Sequence, residues 1–336
     1  PFMKNKSYKN ISFFNTGRSA IEYLLRQFSL EESKALLPSF TCASIVEAFK
    51  RAGVDYTFYS INETFDINVS SIKKKLDSKV KYIFFIQYFG GYQAKPVCEF
   101  LKELQSEGII IIEDLTHSLY TQHPEYIGFG DYILGSIRKW LAIPDGAFIC
   151  SNREIVDMPK ASGCNDYTFY YFVAQVMKNA YLKNNNLDKQ SYLTINDKAM
   201  VSLFSDYTIR NITDISMKYL LSYDMESVIS ARIKNYDYLL KGTENLKFIK
   251  PVLIRKEGQV PFGFTVLCDN RDVLLNYLIS NDIYCNVHWK LPDECIIVDK
   301  VAYSLSKRIL TIPCDHRYSE AQMSYIIEVL NGFKNY

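Results

Sequence analysis

Four consecutive isoleucines, Ile109 to Ile112, run directly into Glu113 and Asp114. A short segment that is wholly apolar and β-branched is stable as a strand only where both of its faces are covered, which is the situation of a mostly parallel sheet with helices on either side. The carboxylates that follow would then lie just past the strand's C-terminal end. In open α/β sheets those ends converge on the crevice where ligands bind. Twenty-five positions beyond Asp114 comes Lys139, in Gly135-Ser136-Ile137-Arg138-Lys139, between segments that also read as strands.

The rest of the first 150 residues supports such a sheet, because β-rich runs alternate with helical patterns. Asn15-Thr16-Gly17-Arg18-Ser19 opens a helix from Ala20 to Phe28. Ala35 to Leu37, Tyr56 to Ser60, Tyr82 to Ile86, Asp131 to Leu134 and Ala147 to Cys150 read as strands, with helices from Cys42 to Arg51 and from Pro96 to Gln105. From about 153 to 208 the pattern weakens into a Tyr- and Asn-rich stretch containing Asn184-Asn185-Asn186, read as an irregular excursion with one helix around Phe169 to Tyr181. A connector helix follows from Asp214 to Leu240. Beyond it, Phe262 to Leu267, Ile283 to His288 and Ile309 to Ile312 with helices Arg271 to Asn281 and Glu320 to Gly332 read as a small α+β unit. Ser319 and Gln322 have capping-box spacing before that last helix. The expected organisation is a large α/β domain, 1–240, and a small C-terminal α+β domain, 241–336.

Composition removes several classes of function. The 336 residues carry 39 Lys and Arg against 37 Asp and Glu, a net charge of +2 that gives no basic surface for nucleic acid. The eight cysteines form no C-x-x-C pair, and the four histidines show no ligand spacing, so no metal is expected. Scattered thiols suit a reducing compartment. No apolar run approaches membrane-spanning length and no hydrophobic signal region opens the chain, so a cytoplasmic protein is expected. Neither G-x-G-x-x-G, nor a P-loop, nor G-x-S-x-G occurs.

Taken singly, Asp114 reads equally well as the cap of a turn and Lys139 as a solvated lysine. Together, at these places, they suit a pyridoxal phosphate site. The lysine would hold the aldehyde as a Schiff base, and the carboxylate would keep the pyridine nitrogen protonated so that the ring accepts electrons. A lysine desolvated beside Arg138 has a lowered pKa and a nucleophilic amine. The helix start at Gly17-Arg18-Ser19-Ala20 offers free N–H groups to a phosphate, although a serine there is also an ordinary cap. Ser136 could add a hydroxyl, or be a plain loop serine.

In order along the chain, Gly17-Arg18-Ser19-Ala20, Pro38-Ser39-Phe40-Thr41, Tyr88-Phe89-Gly90, Glu113-Asp114-Leu115-Thr116-His117, Gly130-Asp131, Ser136-x-x-Lys139 and Asp145-Gly146-Ala147 resemble the DegT/DnrJ/EryC1/StrS family of sugar aminotransferases. Val287-His288-Trp289 and Ile309 to Pro313 are similar to that family's late segments. The resemblance implies PLP fold type I, the aspartate aminotransferase fold, with a seven-stranded type of sheet. It implies pyridoxal 5'-phosphate as cofactor, an amino acid such as glutamate as donor, and a keto sugar, nucleotide-linked, as acceptor. It also implies a homodimer with sites at the subunit boundary. Lys139 would carry the cofactor and move the proton, Asp114 would pair with the pyridinium, and His117 would lie near the phenolic oxygen. Arg18 and Ser19 would hold the phosphate through backbone N–H groups, with the Ser136 hydroxyl, and His288 would lie near the substrate.

The departures concern the pocket. Cys42 stands where the family has a ring-stacking aromatic, and Lys139 follows Ser136 by three positions instead of five. The N-Y-R-M segment survives only as Thr208 to Asp214, where Asn211 or Arg210 would substitute. A sugar dehydratase, an amino-acid lyase or decarboxylase, and a non-catalytic regulator of the same fold are the alternatives. The dehydratase branch is expected to replace the lysine by histidine, an amino-acid enzyme would need a carboxylate clamp for which Arg308 and Arg317 are candidates, and a regulator would have no need of Lys139.

Overall fold

A computed structural model of the chain describes residues 7–28, 33–183 and 188–334. Strand β1 (Asn10–Phe14) is followed by α1 (Gly17–Leu25), β2 (Lys34–Pro38), α2 (Ala43–Ala52), β3 (Asp55–Tyr59), the short α3 (Val69–Lys73), β4 (Val80–Ile86), α4 (Lys95–Ser106) and β5 (Ile110–Asp114). Strand β6 (Tyr132–Ser136) ends in a single 3-10 turn, Ile137–Lys139, and β7 (Ala147–Ser151) follows. Among the described residues these strands form one seven-stranded sheet in the order β1-β7-β6-β5-β4-β2-β3. Neighbours from β3 to β6 pair in parallel, and β7 runs antiparallel to both of its neighbours.

The isoleucine run explains the position of the sheet. Ile111 and Ile112 are buried within 1% of completely, and Phe84, Phe85, Leu36 and Leu37 beside them are equally inaccessible. Helices α1, α2 and α4 supply the cover through Leu24, Phe49 and Leu101, all in the same apolar cluster. Side chains alternate along a strand, so Glu113 and Asp114 leave β5 toward opposite faces. Glu113 is saturated: its oxygens accept the N–H groups of Gly128, Phe129 and Gly130 at 2.9, 2.9 and 3.0 Å and the Gln87 amide at 3.0 Å. It anchors the loop before β6, and Asp114 is left to face the crevice.

The stretch read as an irregular excursion is a pair of helices, α5 (Asp166–Lys183) and α6 (Lys189–Ser205). The helix expected over Phe169 to Tyr181 lies inside α5, and Asn184-Asn185-Asn186 fall outside the described residues. The pair was hard to see because its apolar residues do not keep to one face: Phe169, Val176 and Leu182 are exposed while Tyr167 and Ala174 are buried. The connector is also two helices, α7 (Asp214–Ser222) and α8 (Met225–Gly242). The break is made by Asp224, which caps α8 by accepting N–H groups from Glu226 and Ser227 at 3.1 and 3.3 Å.

A second sheet, β10-β9-β8, is antiparallel and consists of β8 (Lys250–Pro251), β9 (Phe264–Leu267) and β10 (Ile309–Ile312). It packs with α8, α9 (Arg271–Ser280) and α12 (Glu320–Gly332) in a cluster that includes Tyr236, Leu274 and Met323. Gln322 accepts the Ser319 N–H at 2.8 Å, completing the expected reciprocal cap of α12. Ile283 to His288, read as a strand, is instead held by one bridge, with reciprocal Asn286 and Thr311 bonds at 3.0 and 2.8 Å. Helices α10 (Asp293–Val298) and α11 (Lys300–Arg308) return to the large sheet, where Cys295, Ala302 and Leu305 join its core. The eight cysteines are all unpaired. Among the described residues no helix is long and apolar enough to cross a membrane.

Candidate active site

Asp114 is the last residue of β5 and is 4% exposed. Its Oδ1 accepts the Thr116 N–H at 2.7 Å. Burial raises its carboxyl pKa, while the Thr116 bonds and the charge of Lys139 act in the opposite direction. A cation at the open side of this carboxylate would therefore be strongly favoured. Thr116, to which the sequence assigned no role of its own, organises the surroundings: its Oγ1 accepts the Ser136 N–H at 3.2 Å and its carbonyl accepts the Trp140 Nε1–H at 2.7 Å. One residue thus ties the end of β5 to the end of β6 and to the turn that carries Lys139.

That turn is short because Ile137 and Arg138 donate to the same Gly146 carbonyl, at 2.9 and 3.2 Å. Lys139 closes it, half-buried. Desolvation lowers the ammonium pKa and Arg138 adds to the lowering, against Cys42 and Asp114. This is the environment in which a lysine becomes a nucleophilic amine. Among the described residues no cluster of His, Cys, Asp and Glu is arranged to hold a metal ion.

The start of α1 comes to the same place. A Cβ at Gly17 would stand 3.8 Å from that of Ser136, so the helix N-terminus and the buried Ser136 are adjacent. Here the structure changes two expectations in detail. Ser19 is spent on the helix cap, its N–H donating to Thr16 Oγ1 at 3.1 Å and its Oγ accepting from the Thr16 hydroxyl at 3.0 Å. Arg18 turns its guanidinium away, to the Leu203 and Asp206 carbonyls at 2.7 and 2.9 Å and over the Tyr207 ring at 4.4 Å. The N–H groups of Gly17 and Arg18, in the first turn of α1, have no acceptor within the helix and are what this end offers an anion.

His117 is 1% exposed, and among the described residues neither ring nitrogen has a hydrogen-bond partner. Its ring is held between Phe262 at 4.3 Å and Trp289 at 4.9 Å, tilted by 16° and 22°. Burial keeps it neutral, its pKa pushed well below the ordinary value, with Lys139 and His288 contributing. Two orphaned polar atoms in a buried ring call for a ligand. His288 donates to or accepts from Thr311 Oγ1 at 2.9 Å, and burial with the Lys139 charge lowers its pKa to about 3. Cys42 is the N-cap residue of α2, its Sγ 3.1 Å from Ser44 Oγ.

Asn211 is exposed and does not reach this cavity; its N–H donates to the Ala161 carbonyl at 3.0 Å. Arg210 pairs with Asp206 at 3.0 Å and touches the site only through its carbonyl, which accepts the Asn15 N–H at 3.1 Å. Arg308 lies 3.7 Å from Asp269 in a surface pair, whereas Arg317 lines a cavity of about 320 Å³ beyond Lys139. Arg138, Tyr171, Arg232 and His288 also line it. Arg232 and Tyr171 gave no signal in the sequence, since they come from α8 and α5, far from any motif.

These residues fit pyridoxal phosphate: an acid for the ring nitrogen, an amine, an unpartnered donor or acceptor at His117, and a helix end with Ser136 for the phosphate. The model of the DegT/DnrJ/EryC1/StrS aminotransferase family matches residues 7–133, so the resemblance holds there. No curated protein matches the chain in sequence. Among solved structures, a DegT DnrJ EryC1 StrS aminotransferase from Brucella abortus is 18% identical with a TM-score of 0.67, over 98% of this chain and 87% of its own. DesV of S. venezuelae, in complex with a ketimine intermediate, is 15% identical with a TM-score of 0.70, over 97% and 85%. The GDP-4-keto-6-deoxy-D-mannose-3-dehydratase of E. coli, with bound hydrated PLP, is 17% identical with a TM-score of 0.66, over 96% and 88%. The fold is therefore fold type I, as the sequence implied.

Proposed function

We propose that this chain is a PLP-dependent sugar aminotransferase that takes an amino group from an amino acid, glutamate in the first instance, and passes it to a nucleotide-linked keto sugar. The observation that carries this reading is the half-buried Lys139 facing the buried Asp114, with the unpartnered His117 beside them. The bound cofactor would supply an electron sink for the bond changes at the amino-bearing carbon. Lys139 Nζ would hold the cofactor's aldehyde and would serve as the acid/base that accepts and returns a proton, its lowered pKa leaving the amine free to do so. Asp114 keeps a proton on the pyridine nitrogen. His117 meets the phenolic oxygen as a neutral ring, and Ser136 with the first turn of α1 receives the phosphate. Phe262 and Trp289 stack on His117 and hold its ring in place.

The structural likeness extends to a dehydratase, so the reaction rests on Lys139, which the dehydratase branch is expected to lack. The large and small units expected from the sequence, 1–240 and 241–336, would bring Lys139 and His288 together from opposite sides. The exposed Asn211 suits a homodimer in which it serves a second subunit's phosphate. Mixing the purified protein with PLP and then with glutamate tests the reading: the cofactor absorbance shifts from the aldehyde form to the aminated form, and Lys139→Ala abolishes the shift. A protein that takes up no cofactor, or that transaminates without Lys139, would show the reading to be wrong.

A further inference from the structure

The cavity beyond Lys139 is the substrate's side of the site, because its lining includes neither Gly17, Asp114 nor Ser136. Its charge is one-sided. Arg138, Lys139, Arg232 and Arg317 line it, and among the described residues no carboxylate does. Over it α5 lays one face, Tyr171 and Gln175, and a turn further Lys178, whose pKa burial and Arg317 lower.

Nearby carboxylates are largely committed. Asp315 is bound by Arg317 at 2.7 and 2.8 Å. Asp145, whose charge acts on Arg138, accepts the Thr213 N–H at 2.9 Å, the Thr213 hydroxyl at 2.6 Å and the Ser216 hydroxyl. Asp114 lies on the other side of Lys139. Arg232, 2% exposed, gives its Nη groups to the Phe262 and Trp140 carbonyls at 3.0 Å each and stacks on the Trp140 ring at 4.6 Å. Among the described residues the buried Nε atoms of both Arg138 and Arg232 have no partner. Desolvation disfavours both guanidinium groups and is countered by Asp145 among others at Arg138 and by Asp315 at Arg232, while their planar fork matches a carboxylate.

We propose that this chamber is a carboxylate subsite serving both half-reactions, with Arg138 as its principal anchor, so that the amino-group acceptor brings a carboxylate of its own to the fragment that reaches Lys139. The inference rests on the aminotransferase reading above. In a two-step exchange both substrates pass through one chamber, and a neutral acceptor would leave the Arg138 and Arg232 Nε atoms unmatched for half of every cycle. At about 320 Å³ the chamber lies at the small end of ligand pockets and suits an amino acid or a single sugar ring. The phosphates of a nucleotide carrier would remain outside it and cannot provide the missing charge.

The test uses the PLP-loaded enzyme. Glutamate conversion, followed by cofactor absorbance, checks the aminotransferase reading separately. The aminated enzyme is then offered a nucleotide-linked keto-hexose and its counterpart oxidised to a carboxylate at the sugar's last carbon. The carboxylated acceptor is expected to show at least about tenfold higher kcat/KM, a preference that Arg138→Gln removes and Arg138→Lys partly restores. In a second readout, maleate, but not its neutral diamide, is expected to quench the fluorescence of the two tryptophans, Trp140 and Trp289, in the unloaded protein at constant ionic strength, and the effect is expected to weaken in Arg138→Gln. Equal rates for the two acceptors, or maleate binding that Arg138→Gln does not alter, would overturn the proposal. Maleate binding that depends on Arg138, without any glutamate conversion, would leave the subsite standing and remove the aminotransferase reading.

Discussion

On the Asp114 side of Lys139 most buried polar groups among the described residues find partners within the protein, the exceptions being the His117 ring nitrogens, Asn15 Oδ1 and Thr41 Oγ1. Glu113 is saturated by loop N–H groups, Ser19 is capped by Thr16, and Thr116 joins Asp114, Ser136 and Trp140. On the Arg138 side cations gather with few anions to match them, and two guanidinium Nε atoms are left bare. The first arrangement can form before any ligand arrives and suits a permanently held cofactor. The second is completed only by what passes through, which suits substrates. The difference places the site's rigidity with the chemistry and its selectivity with a helix outside the sheet.

The sharpest way to break this division is at its boundary. Lys139→Ala should lower turnover toward the upper end of the roughly 10² to 10⁴ that a positioned acid/base contributes, measured as single-turnover glutamate conversion by absorbance. A smaller loss would mean that another group moves the proton. Asp114→Asn comes next, because the amide cannot hold a proton on the ring nitrogen. A fall of about 10² to 10³ in the same assay is expected, comparable to removing one preorganised electrostatic partner, with the fold retained by circular dichroism. If the loss were instead confined to KM for acceptor, Asp114 would belong to the chamber and the division would be drawn in the wrong place.

The sequence revealed the two sides unequally, and for a physical reason. The cofactor side is made at strand ends and at a helix start, where an apolar run, a capping residue and a turn follow one another along the chain. Asp114, Ser136 and Lys139 could therefore be read from local order. Thr116 was legible as a position but not as the group that joins three others, since its bonds depend on strand register. The chamber is assembled from α5, α8 and the loop after β10, so Tyr171, Arg232 and Arg317 are neighbours only in space. The weak amphipathicity of α5 let only its middle, Phe169 to Tyr181, be read as a helix, and α6 was not read at all.

His288 belongs to the chamber side and offers a third measurement. Its folded pKa of about 3 lies below the ordinary 6.5, so the unfolded chain binds a proton that the folded chain refuses. Stability should consequently fall as pH drops below about 6.5 and go on falling toward 3, at about 1.4 kcal/mol per pH unit. Between pH 7 and pH 5 this amounts to about 2 kcal/mol. Urea midpoints of the unloaded protein at those two pH values should differ less in His288→Asn than in the wild type. Asp114, whose raised pKa has the opposite sign, is common to both proteins and cancels in the comparison. An unchanged pH slope would mean that His288 is solvated and that the chamber is open to water.

The smallest expected effect lies at the phosphate end, and it separates a cradle from mere proximity. A Cβ at Gly17 would meet only Ser136 Cβ, at the ordinary contact distance of 3.8 Å, so Gly17→Ala should leave the urea midpoint within about 0.5 kcal/mol of the wild type. The added methyl nevertheless sits between the first turn of α1 and Ser136, where the phosphate would have to approach both. Cofactor affinity, measured by absorbance titration, should therefore weaken, by several-fold if one backbone contact is lost at about 1 kcal/mol. The apparent KM for acceptor should hold once the enzyme is saturated with cofactor, because the chamber beyond Lys139 does not include Gly17. An affinity loss accompanied by a matching loss of stability would reduce the Gly17 contact to packing, and the phosphate would have to be sought at another helix end.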